Sequence, residues 1–167
     1  MKPFLILTAG LLLVAAPALG DDGDDGIERM ARDYMAHYSA ANWDAMAPMM
    51  AEDIVYWDPT ATGHGNGGGD NGYRYEGREA ALQALHEFSE RYHPITLGFV
   101  WDTVFQSNNR VVFIGHADAR YPMGTPDMLF RWHAPQVTVL TVRDGRVVRH
   151  EDFADYVGAE TGPVPAQ

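Results

Sequence analysis

Two hydrophobic periods divide the chain. Ile27, Met30, Ala31, Tyr34, Met35 and Tyr38 recur at i, i+3 and i+4, with Glu28, Arg29, Arg32 and Asp33 opposite them, which predicts an amphipathic helix with Asp25 near its N-terminal cap. Asn42 breaks that helix and caps a short second one over Trp43 to Met50; Glu52-Asp53 then turns the chain into a strand, Ile54-Val55-Tyr56-Trp57-Asp58, stopped by Pro59. From Glu76 the helical spacing returns in Ala80, Ala81, Leu82, Leu85, Phe88 and Tyr92, and it ends at His93-Pro94. The rest is strand-like: Ile95 to Gln106, Arg110 to Tyr121, Met128 to Val142 and Arg146 to Phe153. Ser107-Asn108-Asn109, Pro122 to Pro126 and Asp144-Gly145 supply the turns, and Pro135 marks a bulge or an edge within the third strand.

Helices first and strands afterwards predict an α+β fold, a curved antiparallel or mixed sheet wrapped around the N-terminal helices. A sheet closed at one end by helices leaves an apolar cone with an open mouth, the shape of a small-molecule pocket. Pro59 to Tyr75 is rich in glycine, but no Gly-Lys-Ser/Thr follows and no Rossmann unit surrounds it, which excludes a phosphate loop. It is expected to be a flexible lid or a surface insertion.

The ends of the chain add localisation. Met1 to Gly20 carries one charge, Lys2, then an apolar run from Phe4 to Ala16 and the small-residue site Ala18-Leu19-Gly20, the pattern of a secretory signal peptide. Residues 21–26 read as an acidic flexible arm, 27–157 as the folded domain and 158–167 as a flexible tail. Without the leader, eleven arginines face 23 acidic residues, a net charge of −12. Such a balance disfavours nucleic acid and anionic lipid, so neither is an expected partner, and no membrane association is expected after leader cleavage. With no cysteine, an oxidising compartment offers no disulfide to stabilise the fold.

The order of helix, helix, strand with Asp58-Pro59, loop, Glu76-Gly77-Arg78-Glu79-Ala80-Ala81 opening a helix, then a strand meander resembles the SnoaL-like branch of the nuclear transport factor 2-like superfamily. Its members include ketosteroid isomerases, limonene epoxide hydrolases and polyketide cyclases. The spacing of Tyr34 and Asp58 is similar to that of the helix-one tyrosine and Asp-Pro aspartate of the isomerases, a resemblance that implies Asp58 as general base and Tyr34 as phenol donor. The alternative is that Asp58 caps its turn and Tyr34 is core. Gly145 to Phe153 resembles the closing strand of the epoxide hydrolases, which implies Asp152 as water-activating base. Strand alternation groups Val148, His150 and Asp152 on one face, as pocket residues or as a salt-bridged rim. Arg131-Trp132-His133 departs from the hydrolases' Arg-x-Asp, leaving His133 as a looser hydrogen-bond donor.

The expected function is therefore a secreted or periplasmic protein binding a small hydrophobic ligand, with cofactor-free isomerase or hydrolase chemistry by Asp58, Tyr34, Asp152, His133 and His150. The alternative is a non-catalytic binding or dimerisation module; a homodimer fits either, by analogy with the superfamily. Tyr56, Trp57, Phe130, Arg131, Trp132 and His116 are the expected substrate contacts. His116, Asp118, His133 and Asp152 offer metal-binding atoms, but no tight motif such as His-Glu-x-x-His joins them, so neither metal nor cofactor is expected. Intact-mass analysis of exported protein is expected to place the mature N-terminus at or near Asp21; protein retaining Met1 in a membrane fraction would contradict export.

Overall fold

The computed structural model describes residues 24–62 and 70–166. The leader, most of the acidic arm and the centre of the glycine loop lie outside these residues. Helix α1 spans Asp24–Ser39 and buries Ala31, Tyr34, Met35 and Tyr38, the stripe its spacing predicts. After Ala41, at φ 52°, Asn42 caps α2 by accepting from the Ala45 N–H at 3.3 Å. Helix α2, Trp43–Met46, is shorter than expected. Pro48 lacks the N–H and crowds the preceding turn, so the chain tightens into a 3₁₀ turn, Ala47–Met49.

Strand β1, Met50–Asp58, begins earlier than predicted; Glu52 and Asp53 are exposed within an irregular stretch of its ladder rather than in a turn before it. The glycine-rich segment returns as a short strand, β2, Tyr73–Glu76, antiparallel to β1. Helix α3, Arg78–Tyr92, follows and ends with His93 in the left-handed conformation before Pro94. An indole hydrogen bond from Trp43 Nε1 to Ser89 Oγ at 2.8 Å joins α2 to α3.

The remaining strands are β3 (Val100–Ser107), β4 (Arg110–Pro122), β5 (Met128–Arg143), β6 (Arg146–Ala154) and β7 (Glu160–Pro165). Their order is β2-β1-β6-β5-β4-β3, with β7 also on β5; β1 and β6 are parallel and the other pairs antiparallel. Two expectations change here. Residues 95–99 are irregular, so β3 starts at Val100, and the expected flexible tail contains β7.

Along one edge of β5, β7 pairs with residues 128–133 and β6 with residues 136–143. Pro135, which has no N–H to give, sits in the interval, and its carbonyl accepts from Asp155 N at 3.0 Å. The proline thus marks a break in an edge. A bulge between Thr141 and Val142 on one strand leaves Val148 unpaired on β6, so Val147 rather than Val148 joins His150 and Asp152 on the concave face. Tyr34, Met35, Met46, Ile54, Phe113, Leu140 and Val147 form the core between this face and the helices.

The close approach of β3 to β4 requires a glycine at position 115. A Cβ there would run into the carbonyl oxygen of Val100, where β3 bends over β4 beside the irregularity between Trp101 and Thr103. Gly115→Ala is expected to lower stability by on the order of 2 kcal/mol through overpacking, measured by urea unfolding.

Candidate active site

The concave face of the sheet and helices α2 and α3 enclose a cavity of about 550 Å3. Its wall is aromatic, with Trp43 and Phe88 from the helices, Phe99 from the segment before β3, and Tyr121, Phe130 and Trp132 from β4 and β5. Asp58, Gln136, Asp152, Tyr38, Tyr56 and Tyr156 bring polar atoms to the same cavity. A second, more open cleft of about 490 Å3 runs between α1 and β3, and Phe99 lies between the two. No carboxylate or histidine lines it, and Arg32 at its edge is paired with Glu28 at 2.7 Å.

Asp152 is the polar centre of the concave face. Its Oδ1 accepts from Thr138 Oγ1 at 2.5 Å and from Gln136 Nε2 at 2.9 Å; its Oδ2 accepts from Tyr38 at 3.1 Å and Tyr56 at 3.3 Å. The two phenol oxygens are 2.5 Å apart. His150 Nε2 is 3.1 Å from Oδ2, a close contact without the alignment of a hydrogen bond. Burial pushes the Asp152 carboxyl up, but the electrostatic attraction of the neighbouring His150 and the hydrogen bonds from Thr138 and Tyr38 outweigh it and hold the group below its ordinary value. Burial, followed by the Asp152 charge, raises both phenols well above the usual tyrosine range.

Behind Asp152, Tyr34 and His150 are fully buried, and Tyr34 Oη lies 3.1 Å from His150 Nδ1. The two atoms share one hydrogen bond, whose donor is set by the ring's tautomer.

Asp58 ends β1 at the cavity wall. Its Oδ1 caps the following turn, accepting from Thr60 N at 3.0 Å, Thr60 Oγ1 at 2.7 Å and Ala61 N at 3.1 Å. The same threonine hydroxyl accepts from Ala154 N at 2.9 Å, which ties the end of β6 to the end of β1. Asp58 Oδ2 accepts from Tyr156 at 2.6 Å. Burial raises the Asp58 carboxyl, with Asp152 adding repulsion, against the hydrogen bonds from Tyr156 and Thr60. Gly72, at φ +70°, lets the returning loop pass so close to Asp58 that a Cβ would meet its carbonyl oxygen.

Of the residues expected from the sequence, Asp58, Asp152, Tyr56, Phe130 and Trp132 line the cavity. His150 and Tyr34 are one layer behind it. The others are on the opposite face of the sheet. Tyr56 and Trp57 are neighbours on one strand, as are Arg131, Trp132 and His133, and a two-residue period turns adjacent side chains to opposite faces. Trp57 accordingly packs under the guanidinium groups of Arg74 and Arg149 and donates to Asn71 O at 2.9 Å. Arg131 pairs with Asp118 through two bonds of 2.8 and 2.7 Å, and His133 packs edge-on against His116. His116, Asp118 and His133 therefore cannot share an ion with Asp152. Sequence reasoning missed Tyr38, Gln136, Thr138 and Tyr156. Tyr38 was legible one helical turn beyond Tyr34, and Gln136 and Thr138 by alternation from Trp132; Tyr156 follows the last predicted strand and had no signal.

The SnoaL-like domain family matches residues 31–150. The chain belongs to that family. Among solved structures, a candidate SnoaL-like polyketide cyclase from Shewanella denitrificans OS-217 superposes with a TM-score of 0.65 at 21% identity, over 78% of this chain and 91% of the other. A candidate isomerase from Bacillus subtilis gives 0.59 at 21% identity, over 80% and 88%. An NTF2-like protein from Anabaena variabilis ATCC 29413 gives 0.58 at 15% identity, over 82% and 95%. At these identities the likeness establishes the fold, the nuclear transport factor 2-like cone. No curated protein matches the chain.

The two carboxylates are expected to respond to pH with opposite sign. Asp58 has a folded-state value above its unfolded one, so its contribution is full below the unfolded value and is lost as pH rises through the folded value. Asp58→Asn should therefore be more stable than wild type at neutral pH, with the gap closing in acid. Asp152 has a lowered folded value, and its contribution is lost as pH falls through that value. Asp152→Ala strands several buried donors and should cost about 3–5 kcal/mol at neutral pH. Urea titrations across the carboxylate range measure both.

Proposed function

We propose that this SnoaL-like protein binds a small, largely apolar molecule in the aromatic cavity and that Asp58 acts there as a general base, in cofactor-free isomerase or hydrolase chemistry. The observation that carries the reading is a carboxylate at the wall of an apolar cavity, its proton affinity raised by burial and one oxygen turned toward Tyr156. Tyr156 would hold Asp58 in place and relay its proton; Tyr34, the phenol donor that the resemblance implied, is bonded to His150 behind Asp152 instead. Asp152 is encased in donors and serves better as the charge that organises Tyr38 and Tyr56 than as a base. The fold neighbours described as a candidate polyketide cyclase and a candidate isomerase agree with acid–base work in such a cavity.

A non-catalytic binding module is the second reading, and one observation favours it. The phenol protons next to both carboxylates are drawn to those carboxylates, so an oxyanion forming there would meet few free donors. Tyr92, in another part of the lining against Phe88 and Tyr121, has a buried hydroxyl without a hydrogen bond to any described residue. We further propose, from the leader sequence, export from the cytoplasm. Pairing of two copies through the outer sheet face is also proposed, where Ile114 and Phe153 are exposed.

A screen of β,γ-unsaturated ketones and small epoxides, run with wild type, Asp58→Asn and Asp152→Asn, separates the readings. General-base loss in Asp58→Asn is expected to lower turnover by about 10²–10⁴-fold while apolar ligands still quench tryptophan fluorescence. Binding without turnover in wild type would favour the module; loss confined to Asp152→Asn would move the base to Asp152.

A further inference from the structure

The hydrogen-bond directions around the two carboxylates define what a ligand must bring. Tyr156 gives its proton to Asp58 Oδ2, and Thr60 with two backbone N–H groups fills Oδ1. Thr138 and Gln136 give theirs to Asp152 Oδ1. Tyr38 and Tyr56 have two protons between them; one lies in the bond between the two oxygens and the other goes to Asp152 Oδ2. What remains for a bound molecule in this part of the cavity is lone pairs: those of the outer phenol, of the Gln136 amide oxygen and of the carboxylates.

Charge points the same way. Neither Asp58 nor Asp152 is paired with an arginine among the described residues; the nitrogen that faces Asp152 is His150 Nε2 at 3.1 Å, on the side away from the cavity. The cationic Arg91 of the lining is exposed and packs on Tyr92, with the exposed Glu87 of the same lining to offset it. Two partly or fully desolvated carboxylates thus face a cavity walled by aromatic rings, whose faces also attract positive charge.

Resting on the reading of this cavity as the ligand site, we infer that its ligand is a protonated amine with an aromatic or aliphatic body. The ammonium group donates N–H bonds to the outer phenol, the Gln136 oxygen and the carboxylate edges, and the apolar body lies against Phe99, Tyr121 and Trp132. A neutral carbonyl compound of the same size has no proton to offer and would have to turn a phenol away from its carboxylate. A quaternary ammonium brings the charge without the N–H groups and leaves those acceptors unmet.

Titration calorimetry with three probes of one shape tests the inference at neutral pH: 2-phenylethylammonium, 2-phenylethanol and propylbenzene. The ammonium is expected to bind at least about tenfold more tightly than either neutral probe, and Asp58→Asn to remove about tenfold of its affinity while moving propylbenzene less than about threefold. Asp152→Asn should act in the same direction; should it fail to fold, the wild-type ranking of the three probes decides. Equal binding of all three, or tighter binding of a neutral probe, overturns the amine assignment and leaves the cavity as an apolar ligand site. Failure of all three to bind wild type overturns the ligand-site reading with it.

Discussion

The burial of Asp152 imposes the main constraint on this structure. A carboxylate in that position is tolerated only if its oxygens are met by donors, and here the donors come from α1 through Tyr38, from β1 through Tyr56 and from β5 through Thr138 and Gln136. One anion thereby fixes the relative position of a helix and three strands. The same saturation limits its chemistry, because a buried carboxylate holding hydrogen bonds on both oxygens is a poor base and a good anchor. Asp58 differs: its inner oxygen is committed to a turn, its outer oxygen is held by a single phenol, and it sits where the apolar wall begins.

The tyrosines share this division of labour. Tyr34 supports the histidine behind the anion, Tyr38 and Tyr56 form the layer in front of it, and Tyr156 arrives from the far end of the chain to meet the second carboxylate. Five of the site's polar contacts are phenolic, which suits a cavity that must be apolar in bulk yet directional at a few atoms.

Much of this was legible in the sequence, because periodicity reports burial. The stripe on α1, the end of α3 at His93-Pro94 and the meander of long strands follow from spacing and local chemistry; Asp58 and Asp152, singled out through the family resemblance, both line the cavity. The errors have a common cause. Trp57, Arg131 and His133 were grouped with neighbours that do face the cavity, although consecutive residues of a strand cannot share a face. His116 followed His133 to the outer side, where the two rings meet. Tyr156 and β7 escaped because a glycine- and proline-rich C-terminal stretch gives no period, and its pairing depends on the interval that Pro135 leaves on β5.

The unpaired Val148 sets which residues the cavity can use. Counting back along a regular ladder from the Asp144-Gly145 hairpin, Arg149 and Glu151 would point inward and His150 and Asp152 outward; the one extra residue reverses the count. The cavity's polarity is thus encoded as a phase, separate from the identity of its side chains. In this chain, moving the extra residue past Asp152 would turn Arg149 and Glu151 inward in place of His150 and Asp152, with every residue of the strand unchanged.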